Sequence, residues 1–371
     1  MKIIKLTSFL SLSISSLFVI SCTSKTDNKN INNLNQIFKD YKSSFSTFHS
    51  YNDVLDQIKI YANDLNIKDL QLKDINKKNN LLIEDNIGNK NKIDFLVNKK
   101  VVSFYLDKVL KNKVETIYNN NKSEVIQLGY KKDDLTNQII LDQISNLTIK
   151  VPKHLPLKIN SLKSAFYESN AIRIENLDKW NTSNIIDASE MFKDAKKFNQ
   201  NLNNWNVEKL QTSESMFEGA FSFNQNLNNW NVEKLQTSES MFEGAFSFNQ
   251  NLNNWKTTSL KNTSKMFWSA VKFNQNLNNW NTKNVTDMSK MFKEAYMFNQ
   301  NISNWNTDNV ENMEGMFSNA TKFNQNLSSW KVDKVTNATG FKENINLDKN
   351  KLPKFDKNIL DTVDEVSEFE Y

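Results

Sequence analysis

Phe198-Asn199-Gln200-Asn201-Leu202-Asn203-Asn204-Trp205-Asn206 is a phrase that returns, with small changes in the later copies, at Phe223, Phe248, Phe273, Phe298 and Phe323. Its tryptophan recurs at Trp180, Trp205, Trp230, Trp255, Trp280, Trp305 and Trp330, always in steps of 25 residues. A fixed period in this range is the mark of supersecondary units that stack because none can bury its apolar face alone.

One unit shows the expected plan. After Trp280, Asn281-Thr282-Lys283-Asn284 has the composition of a turn. Val285, Met288, Met291, Phe292 and Ala295 follow at spacings of three or four, which predicts one face of two to three helical turns, capped by Thr286 or Asp287. Phe298 to Trp305 holds three Asn in eight residues and is expected to be short and extended. A short helix and a short extended piece per repeat give the expected fold class: α/β, a right-handed leucine-rich-repeat-like solenoid. The seven tryptophans, the Met-Phe pair, the Phe that opens the phrase and the Leu or Ile three before each Trp are expected as internal columns. The alternative is that the tryptophans are displayed to bind sugar or lipid. Asn201, Asn226, Asn251, Asn276, Asn301 and Asn326 share one slot, where amides bonded to their own and the next turn would form a buried ladder.

Residues 198–222 and 223–247 are identical, so the informative slots are those that vary. The position after the Met-Phe pair holds Lys193, Glu218, Glu243, Trp268, Lys293 and Ser318, a mainly polar set that is expected to face water. Three residues on stand Lys196, Phe221, Phe246, Val271, Tyr296 and Thr321. Phe221, Phe246, Trp268, Val271 and Tyr296 thus form a candidate partner-binding patch, the other reading being that they tuck between neighbouring repeats.

The segment Ile159 to Phe166 aligns with Val310 to Phe317, so the repeats are expected over 159–342, followed by a C-terminal cap and acidic tail over 343–371. Before them, 114–158 is expected as a β-rich N-terminal cap. Thr116–Tyr118 and Glu124–Leu128 flank the turn-forming Asn119-Asn120-Asn121-Lys122, and strand-like pieces follow at Ile139–Leu141 and Leu147–Val151. Residues 31–113 are expected to be mainly helical. Ile31, Leu34, Phe38, Tyr41, Phe45, Phe48, Tyr51, Leu55, Ile58 and Leu65 fall mostly three or four apart, with His49 on that helix, partly exposed. A second helical pattern takes in Phe95, Leu96, Phe104, Leu106, Val109 and Leu110.

Residues 1–22 combine early lysines with an apolar, serine-rich run too short to span a bilayer as a mature helix, which predicts a signal peptide. Val19-Ile20-Ser21-Cys22 is similar to the lipobox of bacterial lipoproteins, with diacylglycerol carried on Cys22, the only cysteine. The expected location is the extracellular face of a membrane, with 23–30 as a disordered tether; the alternative is an ordinary secretory signal.

Catalytic groups are scarce. His49 and His154 are the only histidines and both precede the tryptophan repeats, while six scattered Gly form no phosphate-binding loop. No metal site and no cofactor beyond the lipid is expected, and asparagine without clustered carboxylates or histidines makes a poor metal shell. A net charge of +5, spread along the chain, gives no footprint for nucleic acid.

The run W-N-T-K-N-V-T-D-M-S-K-M-F-K-E-A-Y-M-F-N-Q-N-I at Trp280–Ile302 resembles the mycoplasma surface lipoproteins with BspA-type leucine-rich repeats. That resemblance covers about residues 114–342 and the lipobox. Departures are Ala188, Ser213, Ser238 and Thr263 at the first Met slot and Phe341 at the second. The resemblance implies a non-enzymatic surface protein that adheres to a host cell-surface or extracellular-matrix protein. A spacer or antigenic role, or a glycan hydrolase needing only two carboxylates, are the alternatives; composition leaves the oligomeric state open.

Overall fold

The computed structural model describes residues 27–360, which divide into two compact units between Val114 and Glu115. The signal peptide and lipobox expected at 1–22, Cys22 included, and the acidic tail from Asp361 lie outside the described residues.

The first unit opens with helix α1 over 27–41, so residues 27–30, expected as tether, are helical. Helix α2, Tyr51–Asp64, starts at a capping box: Asp53 N–H donates to Ser50 Oγ (3.2 Å) and Ser50 N–H to the Asp53 carboxylate (2.7 Å). Leu34, Phe38, Val54, Leu55 and Ile58 are buried along the two helices.

The second expected helix is not there. Residues Leu70–Leu72 (β1), Lys92–Val97 (β2) and Lys100–Tyr105 (β3) form an antiparallel sheet in the order β1-β2-β3. Ile93, Phe95 and Val97 are buried in alternation, a period of two rather than 3.6. Asn98 and Lys99 both take left-handed φ, 50° and 65°, as a tight hairpin turn of matching twist requires. The region 31–113 is therefore mixed. Phe38 meets Phe95 and Phe104 at ring separations of 5.5 and 4.5 Å, which is what the hairpin buries. His49 lies just before α2 and is buried, between Phe45 and Phe48, its Nδ1 within 3.1 Å of Ser46 N. A two-residue strand, β4 (Lys113–Val114), ends the unit.

In the second unit β5 (Ile117–Tyr118) and β6 (Val125–Gln127) pair across the asparagine turn, and β7 (Tyr130–Lys132) pairs antiparallel with β8 (Ile139–Leu141). The strand expected at Leu147–Val151 reduces to Lys150, which bridges in parallel to Glu124 and Glu175. From there one residue per repeat makes a parallel bridge to the next: Ser161, Asp187, Thr212, Thr237, Asn262, Asp287, Asn312 and Asn337.

The repeat contains no α-helix among residues 159–342. The three-and-four spacing of Met288, Met291, Phe292 and Ala295 marks a run of tight turns instead. Backbone N–H groups of Met288, Lys290, Phe292 and Glu294 donate to Asn312, Glu314, Met316 and Ser318, in the next repeat. Those of Met291, Lys293 and Ala295 donate three residues back, within their own. A helix would keep all of them in its own ladder. Sharing every second one outward needs a reversal, and Lys290 (φ 54°) and Glu294 (φ 56°) supply it in the left-handed region. The corresponding pair in the second phrase-bearing repeat is Ser240 and Gly244 (φ 52° and 64°), where glycine removes the strain. The molecule is thus a set of small sheets and bridges with few helices, and no barrel closes among the described residues. After the last copy, Ile345, Leu347, Leu352 and Phe355 are buried, and Lys351 Nζ donates to Asn324 Oδ1 at 2.6 Å.

Candidate functional site

Each tryptophan of the 25-residue series is buried, between 1% and 6% exposed. The indole N–H of each donates to a backbone carbonyl 28 residues earlier, from Trp180 to Pro152 (3.0 Å) through Trp255 to Leu227 (2.9 Å) to Trp330 to Ile302 (3.1 Å). The rings of Trp230, Trp255 and Trp280 lie nearly parallel at 6.4 and 6.1 Å. Two phenylalanine columns run beside them: Phe217, Phe242 and Phe267 at 5.7 Å spacing, and Phe223, Phe248 and Phe273 at 6.1 and 6.0 Å. These rings hold neighbouring repeats together.

The asparagine ladder exists, but two residues away from its expected slot. Asn201, Asn226, Asn251 and their equivalents are exposed, and each caps the backbone N–H two residues on within its own turn. The rungs are Asn199, Asn224, Asn249, Asn274 and Asn299. Asn224 Oδ1, for example, accepts from Asn249 N–H and Gln250 Nε2, both at 3.0 Å. A side chain can reach the next repeat only where the chain runs beside it, which composition alone did not specify.

The variable slots separate. Phe221, Phe246, Val271 and Tyr296 each follow a tight turn closed by a hydrogen bond two residues back, Phe246 N–H to Gly244 O at 2.8 Å and Tyr296 N–H to Glu294 O at 2.9 Å. That turn aims the side chain outward. Phe246 and Tyr296 are 41% and 43% exposed, and Met297 beside Tyr296 is 48% exposed. Phe221 and Val271 are half-buried. Phe221 stacks on Phe246 at 4.6 Å, with the Lys196 ammonium 5.5 Å from the Phe221 ring. The repeat step therefore places these side chains in one row.

Trp268 is not the exposed centre of that row. Its slot is half-buried to buried along its length, with Lys293 and Ser318 buried. Three ammonium groups surround its ring, from Lys293 at 4.8 Å, Lys290 at 5.6 Å and Lys265 at 5.9 Å. Lower in the same column Lys193 pairs with Glu218 at 2.9 Å. Burial pulls the Lys193 ammonium down, but Glu218, Glu190 and Asp194 outweigh it and hold it above the usual lysine range. Burial and then the charge of Glu218 push the Glu243 carboxyl up, against a hydrogen bond from Ser240. In this slot Lys193 and Glu218 are thus paired with each other, and Lys293 lies over the Trp268 ring.

The family described as Mycoplasma protein of unknown function, DUF285, matches residues 160–277 and 251–355, which together cover more than half of the 371 residues. The chain belongs to this family. No curated protein matches the sequence.

The DUF285 match begins one residue before the first bridge of the series from Ser161. Just inside it lies a cavity of about 400 Å³ whose lining includes Arg173, Asp178, Asn199, Gln200 and Trp205. The sequence reading missed these residues as a site. Two signals were present: Arg173 is the only arginine of the chain, and it stands seven residues before Trp180, where every later copy has Phe.

Proposed function

We propose that this DUF285 chain is a non-enzymatic, lipid-anchored protein of the outer cell surface, anchored through diacylglycerol on Cys22. Its 25-residue repeats stack as a right-handed, leucine-rich-repeat-like solenoid of the BspA type, and the solenoid surface binds a host cell-surface or extracellular-matrix protein. One parallel bridge per repeat and three aromatic columns support the solenoid. The observation that carries the binding role is the outward row Phe221, Phe246, Val271 and Tyr296, with two aromatic side chains over 40% exposed amid an asparagine-rich surface. Exposed aromatics in one contiguous row are typical anchors of a protein interface.

The test is binding of the chain to extracellular-matrix proteins and host cells, compared with Phe246→Ser/Tyr296→Ser. Saturable binding lost in the double variant, at unchanged thermal stability, supports the reading; binding indifferent to both substitutions overturns it. The identical copies 198–222 and 223–247 favour a second reading, a spacer whose length changes by duplication. It predicts no saturable binding at all.

A further inference from the structure

The amide ladder that joins the repeats has an open end, and the cavity sits there. In the repeats that follow, the Gln of the phrase donates through Nε2 to an Asn one repeat back: Gln225 to Asn199 at 2.9 Å, Gln250 to Asn224 and Gln275 to Asn249 at 3.0 Å. Gln200 has no such partner. The slot behind it holds Ile174, whose backbone N–H donates to Gln200 Oε1 at 2.8 Å, and Gln200 Nε2 has no hydrogen-bond partner among the described residues. Gln200 is nonetheless 4% exposed. Its Nε2 is not one of the buried unpaired polar atoms, so this free donor opens on the cavity that Gln200 lines.

A second group in the lining is also uncommitted. The Arg173 guanidinium makes no hydrogen bond or ion pair among the described residues. Its neighbour Asp178 is held by Lys179 at 2.8 Å, and that contact, followed by smaller contributions including the Arg173 charge, keeps the Asp178 carboxyl below its usual range. Arg173 is therefore the charge in this wall still able to take a ligand. Asn201 and Asn204 add amides to the lining, while Leu202 and Trp205 supply its apolar part.

The volume is within the range of small-ligand sites, about 300–1,000 Å³. Amides offer donor and acceptor side by side, which suits vicinal hydroxyls, and a planar guanidinium suits a carboxylate held by two parallel bonds. We propose that this cavity binds a small saccharide bearing a carboxylate, with Arg173 holding the carboxylate and Gln200, Asn201 and Asn204 taking ring hydroxyls.

Calorimetric titration of the full chain with glucuronic acid tests this, with glucose and glutarate as comparison ligands. Glucuronic acid should bind saturably, and both comparison ligands more weakly. Arg173→Gln, on an exposed side chain, should weaken glucuronic acid about tenfold or more and leave glucose unchanged, the size expected for one charge-assisted bidentate pair. Gln200→Leu should weaken both sugars, whereas Gln325→Leu, at the far end of the ladder, should change neither. Equal binding of glutarate and glucuronic acid would make this a simple anion site and overturn the proposal. So would the absence of saturable glucuronic acid binding, or affinity unchanged in Arg173→Gln. Phe246→Ser/Tyr296→Ser should not alter the titration, which keeps the outcome independent of the protein-binding row.

Discussion

The two units solve the same problem, satisfying backbone polar groups around an apolar core, in opposite ways. In the first, helices α1 and α2 and the β2–β3 hairpin close their hydrogen bonds within an element or with one neighbouring strand. In the repeats every second backbone donor of the turn run leaves its own repeat, and no element longer than a few residues forms. Spacing of three or four therefore has two meanings here. Along Leu34, Phe38, Val54 and Ile58 it marks one face of a helix; along Met288, Met291, Phe292 and Ala295 it marks turns that point inward once per reversal. Stability in the first unit is local, while in the repeats it resides between neighbours.

Trp255→Ala should break that contrast most severely. It empties a slot between Trp230 and Trp280 and removes the indole bond to Leu227, so a loss of about 3–5 kcal/mol is expected from a large-to-small aromatic change. Chemical denaturation should show the repeats weakened while the helical signal of the first unit persists. Asn249→Ala removes the acceptor for Asn274 N–H and Gln275 Nε2 together and should cost about 1–3 kcal/mol by the same measurement. Asn251→Ala, in the exposed slot, should cost visibly less, which separates the true rung from the neighbouring residue.

Ser50→Ala tests the locality of the first unit. Loss of the capping box on α2 should cost about 1 kcal/mol and leave the melting of the repeats unchanged. Asp85 adds a test with a distinct signature in acid. Backbone N–H groups of Lys90, Ile87, Gly88 and Asn89 hold its carboxyl down at about 2. A carboxyl depressed in the folded state contributes stability that is present above its unfolded pKa, about 3.9, and lost as pH falls through about 2. Melting temperature against pH should therefore fall across that window in the wild type and fall less in Asp85→Asn.

How far the sequence could be read follows from the same contrast. The period, the buried tryptophans and phenylalanines, and the hairpin around Asn119–Lys122 were legible because each rests on residue type at a fixed spacing. The β2–β3 hairpin was not, since Phe95, Leu96 and Phe104 satisfy a helical spacing loosely and Asn98-Lys99 is a weaker turn signal than Asn-Gly. Nor was the ladder slot: Asn199 and Asn201 are the same residue two positions apart, and only the path of the next repeat distinguishes them. The polar residues that share its slot point to an exposed Trp268, yet the side chain is half-buried. That slot is half-buried to buried, and within it Lys193 and Glu218 pair with each other while Lys293 lies over the Trp268 ring. The row at Phe221, Phe246 and Tyr296 could be proposed from variation alone, whereas the cavity at Arg173 depended on a broken copy that periodicity averages away.

The repeat is built of turns sharing alternate backbone bonds, a scaffold that turns the aromatic row outward. Backbone chemical shifts measured by NMR across residues 287–296 test it most directly. Positive φ at Lys290 and Glu294, with Met288 and Phe292 amides coupled across hydrogen bonds to Asn312 and Met316, is the expected result. An uninterrupted run of helical shifts from Asp287 to Ala295 would contradict it.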